Sequence, residues 1–304
     1  MSQNNYTLTG GSGFLGCTIK SHLSNKGHVV SLNRTGKDGI MVDISSAFIL
    51  PVSFNPGIVI HAAGKAHMVP RTAAEEKEFF DVNFEGTKNL CSALELLSQK
   101  PKAFVFISTV AVYGQDVGNM ITESYPLLGT TPYAKSKILA EEWLQNWAKE
   151  QNIKLAILRL PLIAGPNPPG NLGAMINGIR SGKYVGIGKS AARKSIVWAE
   201  DVAQIIPKVA EVGGIFNLTD GYHPSFKELE DCIAGLLRKR SPFHIPVPVA
   251  KTIAALGDII GSRSPITSSK LQKMMSTLTF DDSKARELLD WKPSSVLDKL
   301  PTVL

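Results

Sequence analysis

The sequence predicts an α/β protein: a doubly wound parallel sheet carrying a smaller C-terminal lobe. Apolar segments rich in β-branched residues alternate with helical patterns through the first 160 residues, the order that a parallel sheet with crossover helices requires. Most of these segments are continuously apolar rather than alternating, as in strands covered on both faces. A glycine-rich turn joins the first strand segment to the first helical one.

The elements follow in order. Residues 6–9 form a strand running into Gly10, 14–23 a helix, 28–33 a second strand and 39–43 a short third one. Segment 58–62 reads as a buried strand. Residues 79–97 read as one long helix, with Val82, Leu90, Leu94 and Leu97 at helical spacing. Strand 103–108, helix 133–150 and strand 155–160 complete the alternation. Residues 161–173 hold Pro161, Pro166, Pro168 and Pro169 among three glycines and read as a loop. Segment 215–218 returns as a strand. From Gly221 the pattern changes to short helices, a stretch with Pro242, Pro246 and Pro248, and a terminal helix ending at Trp291. Residues 1–165 and 194–219 are thus expected to form the sheet unit, and 166–193 and 220–304 the lobe.

Composition excludes several classes. With 304 residues, 43% hydrophobic and 19% charged, the chain can bury a large core and is neither disordered nor collagenous. The net charge of +7 suits an anionic small ligand at least as well as nucleic acid. The densest basic cluster, Arg238-Lys239-Arg240, lacks the interleaved aromatics of a nucleic-acid binder. Cys17, Cys91 and Cys232 have no metal-ligand spacing, so no metal is expected, and they fit a reducing cytoplasm. No signal peptide is read at the N-terminus. The most apolar run, 247–260, is interrupted by Lys251 and Asp258, so no membrane span is expected.

Residues 9–16 read TGGSGFLG, with Gly10, Gly13 and Gly16 between a strand and a helix. Glycines there allow the tight turn, a close approach to pyrophosphate and close helix–strand packing, while the helix directs its unpaired N–H groups at the phosphates. This predicts dinucleotide binding. An acid ending the second strand would bind the ribose of NAD. Asn33-Arg34 stands there instead, and a guanidinium pairs with a 2′-phosphate, so NADP(H) is favoured over NAD(H). Asp43 and Ile44 can bracket the adenine; Asp43 can equally cap a turn.

Tyr133 and Lys137 lie four apart on one helix face. An ammonium beside a phenol favours phenolate and lowers its pKa from about 10, which would fit Tyr133 for acid–base work on a carbinol or ketone oxygen. Ser108 and Thr109 end the preceding strand, where a hydroxyl can reach the same oxygen.

These motifs, with HAAG (61–64), DVNFEGT (81–87), STVAVYG (108–114), YAKSK (133–137), RLPLIAGP (159–166) and SKARELLDW (283–291), resemble the extended short-chain dehydrogenase/reductases of the NAD-dependent epimerase/dehydratase family, which act on nucleotide sugars. The match runs through nearly the whole chain in order. It implies a Rossmann sheet with a smaller C-terminal substrate-binding lobe. It also implies cofactor contacts from Gly10, Gly13, Phe14, Leu15, Gly16, Asn33, Arg34, Asp43, Ile44, Ala62, Ala63, Gly64, Asn83, Ser108, Tyr133, Lys137 and Pro161. Asn83 can equally be a buried structural amide. Thr109, Tyr133 and Lys137 match the catalytic positions. Thr109, Asn171, Leu172, Arg193, Lys194 and Arg263 match substrate positions; relatives carry an arginine where Lys194 stands, with Arg193 adjacent. A cytoplasmic enzyme of polysaccharide biosynthesis is implied. A homodimer through helices 79–97 and 133–150 would follow the pattern of relatives, although core roles explain the same apolar faces.

Three reactions share such a scaffold. A 4,6-dehydratase needs an Asp-Glu pair after the active-site Thr, and Val110-Ala111 stand there. A 4-ketoreductase and a 4-epimerase both need hydride transfer with Tyr133. Segments 61–68 and 268–286 resemble reductases of UDP-4-keto-6-deoxy-N-acetylhexosamines, which favours reduction of a C4 ketone with Tyr133 as general acid. The alternatives are a 4-epimerase acting on a UDP-hexose or UDP-N-acetylhexosamine and, more remotely, a non-catalytic NADP(H) sensor.

Overall fold

A computed structural model describes residues 4–36, 39–66, 68–260 and 266–304. Strand β1 (Asn4–Thr9) enters the glycine turn and helix α1 (Phe14–Ser24) leaves it; β2 (Gly27–Asn33), β3 (Gly39–Met41) and β4 (Ile58–His61) follow. Helix α2 (Ala73–Phe80) begins at Thr72, whose hydroxyl accepts the Glu75 N–H. It continues through a π-helical turn, Asp81–Glu85, into α3 (Gly86–Glu95). After β5 (Ala103–Thr109) and β6 (Gly118–Ile121), α4 (Pro132–Glu150) is capped by Thr131 and opened by Pro132, whose ring presets the helical φ. Then come β7 (Lys154–Leu160), β8 (Leu162–Ala164), α5 (Gly170–Arg180), β9 (Val185–Ile187), β10 (Ile196–Trp198), α6 (Ala199–Val212) and β11 (Gly214–Asn217). Helix α7 (Phe226–Leu236) starts with a reciprocal Ser225–Glu228 capping box. The chain finishes with β12 (Phe243–Ile245), α8 (Val247–Ile260), α9 (Ser268–Met275), β13 (Leu278–Phe280), α10 (Ser283–Leu289) and α11 (Val296–Lys299).

The central sheet has the order β11-β7-β5-β4-β1-β2-β3 with every pair parallel. Strand order therefore reverses beside β1, and the crevice beyond the carboxyl ends of β1 and β4 is where such sheets take ligands. Successive residues serve opposite faces. Val105 and Leu158 pack with Ile19, Leu23, Val202 and Ile206 on one side. Phe104, Phe106 and Ile157 pack with Leu90, Leu94, Leu144 and Trp147 on the other. Both faces are buried, which is why these strands read as continuous apolar runs.

Three expectations are corrected. The helix expected at 79–97 begins earlier, at Ala73, and is interrupted by the π turn. The loop expected at 161–173 contains β8 and the start of α5, because Leu162–Ala164 pairs with β10 and Pro169-Gly170 opens a helix instead of prolonging the loop. The strand expected at 39–43 stops at Met41, since Asp43 turns the chain by accepting the Ser45 N–H and hydroxyl. A separate apolar cluster joins Leu172, Met175, Leu229 and Ile233 with Ile196 and Trp198. Ala285, Leu289 and Trp291 pack instead on the core of the central sheet.

Candidate functional site

The turn after β1 is built for close contact. Gly10 has φ +73°, and a Cβ there would lie 2.5 Å from the Ala63 nitrogen; a Cβ on Gly16 would collide with the Gly10 carbonyl. Gly13 caps α1 with no side-chain hydrogen bond, and its first turn, which includes Phe14 and Leu15, carries no acidic residue. The N-terminal amides of α1 thus remain available to an anion. The adjoining cleft, about 450 Å³, is lined by Gly10, Gly13, Asn33, Arg34, Asp43 and Ile44 at one end and by Ala62, Ala63, Gly64 and Lys65 at the other. Beyond Arg34 a second hollow, about 600 Å³, is bordered by Ser12, Lys20, Ser31, Arg34 and Thr35. The Ser31 hydroxyl borders it buried and without a hydrogen-bond partner. An uncapped helix start, a glycine cradle and an orphaned buried hydroxyl beside an arginine fit a phosphorylated dinucleotide. The Asp43 carboxyl is held below its usual range mainly by the Ser45 hydroxyl, then by the Ser45 N–H.

At the other end of the cleft, Thr109 closes β5 and Tyr133 and Lys137 stand on the first turns of α4. The Thr109 hydroxyl accepts the Ala111 N–H at 3.2 Å and lies near the Tyr133 phenol. Lys137 is buried; its ammonium donates to the Ile107 carbonyl at 2.9 Å and lies 4.4 Å from the Phe106 ring centre. Burial lowers its pKa to about 8, against the raising influence of Glu141. A Cβ on Gly64 would sit 3.3 Å from the Lys137 nitrogen, so the cleft reaches the lysine. The expected lowering of the Tyr133 pKa is corrected: burial raises it, and only the nearby Thr109 side chain opposes that. The Lys137 charge is turned toward a carbonyl and a ring face instead.

Asn83, on the π turn, is fully buried. Its Oδ1 accepts the Lys65 N–H at 2.7 Å, and its Nδ2 donates to the Lys65 carbonyl and to the Ser136 hydroxyl. It clamps the cleft wall to α4, the structural role that the sequence left open. The Ser108 hydroxyl does not face the substrate side; it is buried and donates to Glu141. Glu141 in turn accepts three hydrogen bonds from Arg159, at 2.7 and 3.1 Å on one oxygen and 3.3 Å on the other. Arg159 also donates to Tyr113, whose hydroxyl donates to Asn217 at 2.7 Å. Sequence reading missed this network, although an arginine inside the apolar strand 154–160 was a signal for a buried partner. His61, equally buried, bridges Thr9 and Thr87 at 2.6 and 3.0 Å, and burial lowers its pKa to about 3, so it stays neutral.

On the lobe side, Pro161 lies between β7 and β8. Asn171 is exposed at the start of α5, whereas the Leu172 side chain is buried in the lobe core, which leaves only its backbone to a ligand. Arg193 donates to the His223 carbonyl at 2.9 Å and stacks over Tyr222. Lys194 donates to the Lys273 carbonyl at 3.0 Å. Arg263 lies outside the described residues.

A parallel sheet reversing beside a glycine turn, with a Thr, Tyr and Lys at its carboxyl edge, defines a dinucleotide-binding α/β fold of dehydrogenase type. The chain belongs to the NAD dependent epimerase/dehydratase family, whose family model matches residues 6–218. It is 27% identical to a UDP-glucose 4-epimerase of Vibrio cholerae over 96% of this chain and 92% of that one. It is 29% identical to an N-acetyl-alpha-D-glucosaminyl-diphospho-ditrans,octacis-undecaprenol 4-epimerase of Escherichia coli O157:H7, over 68% of this chain and 65% of that one. Its fold matches a UDP-glucuronic acid 4-epimerase from Bacillus cereus with a TM-score of 0.78 and 19% identity, covering 98% and 97% of the two chains.

Proposed function

We propose that the chain reduces the C4 ketone of a nucleotide-activated sugar, of the UDP-4-keto-6-deoxy-N-acetylhexosamine class, using NADP(H). Residues 1–165 and 194–219 would hold the cofactor, and 166–193 and 220–304 the sugar nucleotide. When bound, the nicotinamide supplies the hydride. Gly10, Gly13 and the α1 amides would hold its diphosphate, Arg34 its 2′-phosphate, and Lys137 and the Ala62–Gly64 wall its other end. Tyr133 would give its proton to the C4 oxygen while Thr109 hydrogen-bonds the same atom. Asn171, Arg193 and Lys194 are the proposed contacts to the sugar nucleotide.

The observation that carries this reading is Arg34 beside the hollow that the unpartnered Ser31 hydroxyl borders, a setting for the 2′-phosphate of NADPH, which a reductase consumes. Val110 and Ala111 supply no acid or base for dehydration. A 4-epimerase is the second reading, supported by the activities of the Vibrio and Escherichia relatives. Purified protein incubated with NADPH and a UDP-4-keto-6-deoxy-N-acetylhexosamine should consume NADPH and yield the 4-hydroxy sugar. Interconversion of UDP-hexoses by protein that retains NAD⁺, without NADPH consumption, would replace reduction by epimerisation.

A further inference from the structure

We propose that α8 and the basic residues around it form a docking face for an anionic phospholipid surface, on which the helix lies rather than crosses. Val249, Ile253, Leu256 and Ile260 recur at i, i+4, i+7 and i+11 along one side of α8. They are 47%, 44%, 58% and 65% exposed. Ala250, Ala254 and Gly257 form a different side, which is buried; Ala250 and Ala254 pack with Leu271 of α9. Small residues thus seat the helix on the protein while the large apolar ones face outward. The lone charges of the helix, Lys251 and Asp258, fall opposite the apolar stripe. No described helix is long and apolar enough to cross a membrane.

The surrounding charge selects the occupant. Among the described residues of 236–275, Arg238, Lys239, Arg240, Lys251, Lys270 and Lys273 are all exposed, and Asp258 is the lone carboxylate. Asp258 is occupied by the Ser268 N–H at 2.9 Å, and Lys273 pairs with Asp116 at 3.1 Å. In the full sequence, residues 236–275 carry seven basic residues against Asp258, a net charge of +6, against +7 for all 304 residues. A second copy docked through a two-fold axis would set these cations against themselves. Nucleic acid would gain nothing from an aliphatic stripe. An exposed aliphatic helix face set in a strongly basic stretch of the chain matches the interface of an anionic bilayer.

The full-length protein is sedimented with vesicles of phosphatidylcholine alone, and of phosphatidylcholine with phosphatidylglycerol, at low and high salt. Binding is expected to be about tenfold stronger on the anionic vesicles and to weaken with salt. The double variant Leu256→Asp/Ile260→Asp should lose about tenfold. Lys239→Glu/Arg240→Glu, in an exposed turn, should lose the salt-dependent part. Both should keep the wild-type melting temperature and NADPH binding; a variant that does not is replaced by Leu256→Ser. Wild type that stays in the supernatant with anionic vesicles overturns the proposal. So does a folded Leu256→Asp/Ile260→Asp protein that binds as wild type does. A dimer in the ultracentrifuge that this variant dissociates, without vesicle binding, assigns the face to a second copy and overturns it as well.

Discussion

Replacing Lys137 by methionine should stabilise the protein while it destroys turnover. Lys137 is 4% exposed, and its pKa falls from 10.5 to about 8 mainly through burial. Holding that charge in the fold costs ~3 kcal/mol at neutral pH. Methionine of similar length forgoes the hydrogen bond to Ile107, about 1 kcal/mol, and the contact with the Phe106 ring, about 1 kcal/mol. The net gain is ~1 kcal/mol, which for a chain of this size raises the melting temperature by about 1–2 °C. The pH dependence has a definite sign. Between about pH 8 and 10.5 the unfolded chain keeps a proton that the folded lysine has released, so wild-type stability contributed by this group rises with pH. The advantage of the variant therefore shrinks across that window and is full below it. Differential scanning calorimetry from pH 7 to 10 measures this directly. A variant less stable than wild type at pH 7, or an advantage that grows with pH, would refute the assignment of Lys137 as a buried charge held at a cost.

Tyr133→Phe should lower turnover by about a hundredfold or more while NADPH affinity, read by fluorescence quenching, stays within about twofold. Arg34→Ala should weaken NADPH about tenfold and leave NADH unchanged; equal loss of both would remove the 2′-phosphate role. Glu141→Ala leaves the Arg159 guanidinium buried without its carboxylate and should cost about 3–5 kcal/mol in urea unfolding.

The sheet was legible because β1, β2, β5 and β7 run six or seven residues each and alternate with helical segments, and the glycine turn because only glycine tolerates the approach of Gly10 to Ala63. Strands β6, β8, β9, β10, β12 and β13 span three or four residues each, too few to display a period, and they pair only through distant partners such as β13 with β6. Thr109, Tyr133 and Lys137 could be found from spacing. The raised Tyr133 pKa could not, because it depends on how deeply α4 seats against β5, which no local pattern encodes. Glu141 is one helical turn beyond Lys137 and reads as a surface acid on an amphipathic helix until Arg159, near the carboxyl end of β7, is brought beneath it.

The π-helical turn at 81–85 adds one residue to a helical path that would otherwise run on in register. Asn83 sits on that extra turn and ties Lys65 to Ser136. Removing one residue there would restore an uninterrupted helix, swing Asn83 by about 100° and unlink the two walls of the cleft. The segment is therefore a length constraint as well as a composition constraint at Asn83: apart from that residue its side chains can be exchanged more freely than its residue count, and a single-codon deletion there is a harsher lesion than most substitutions.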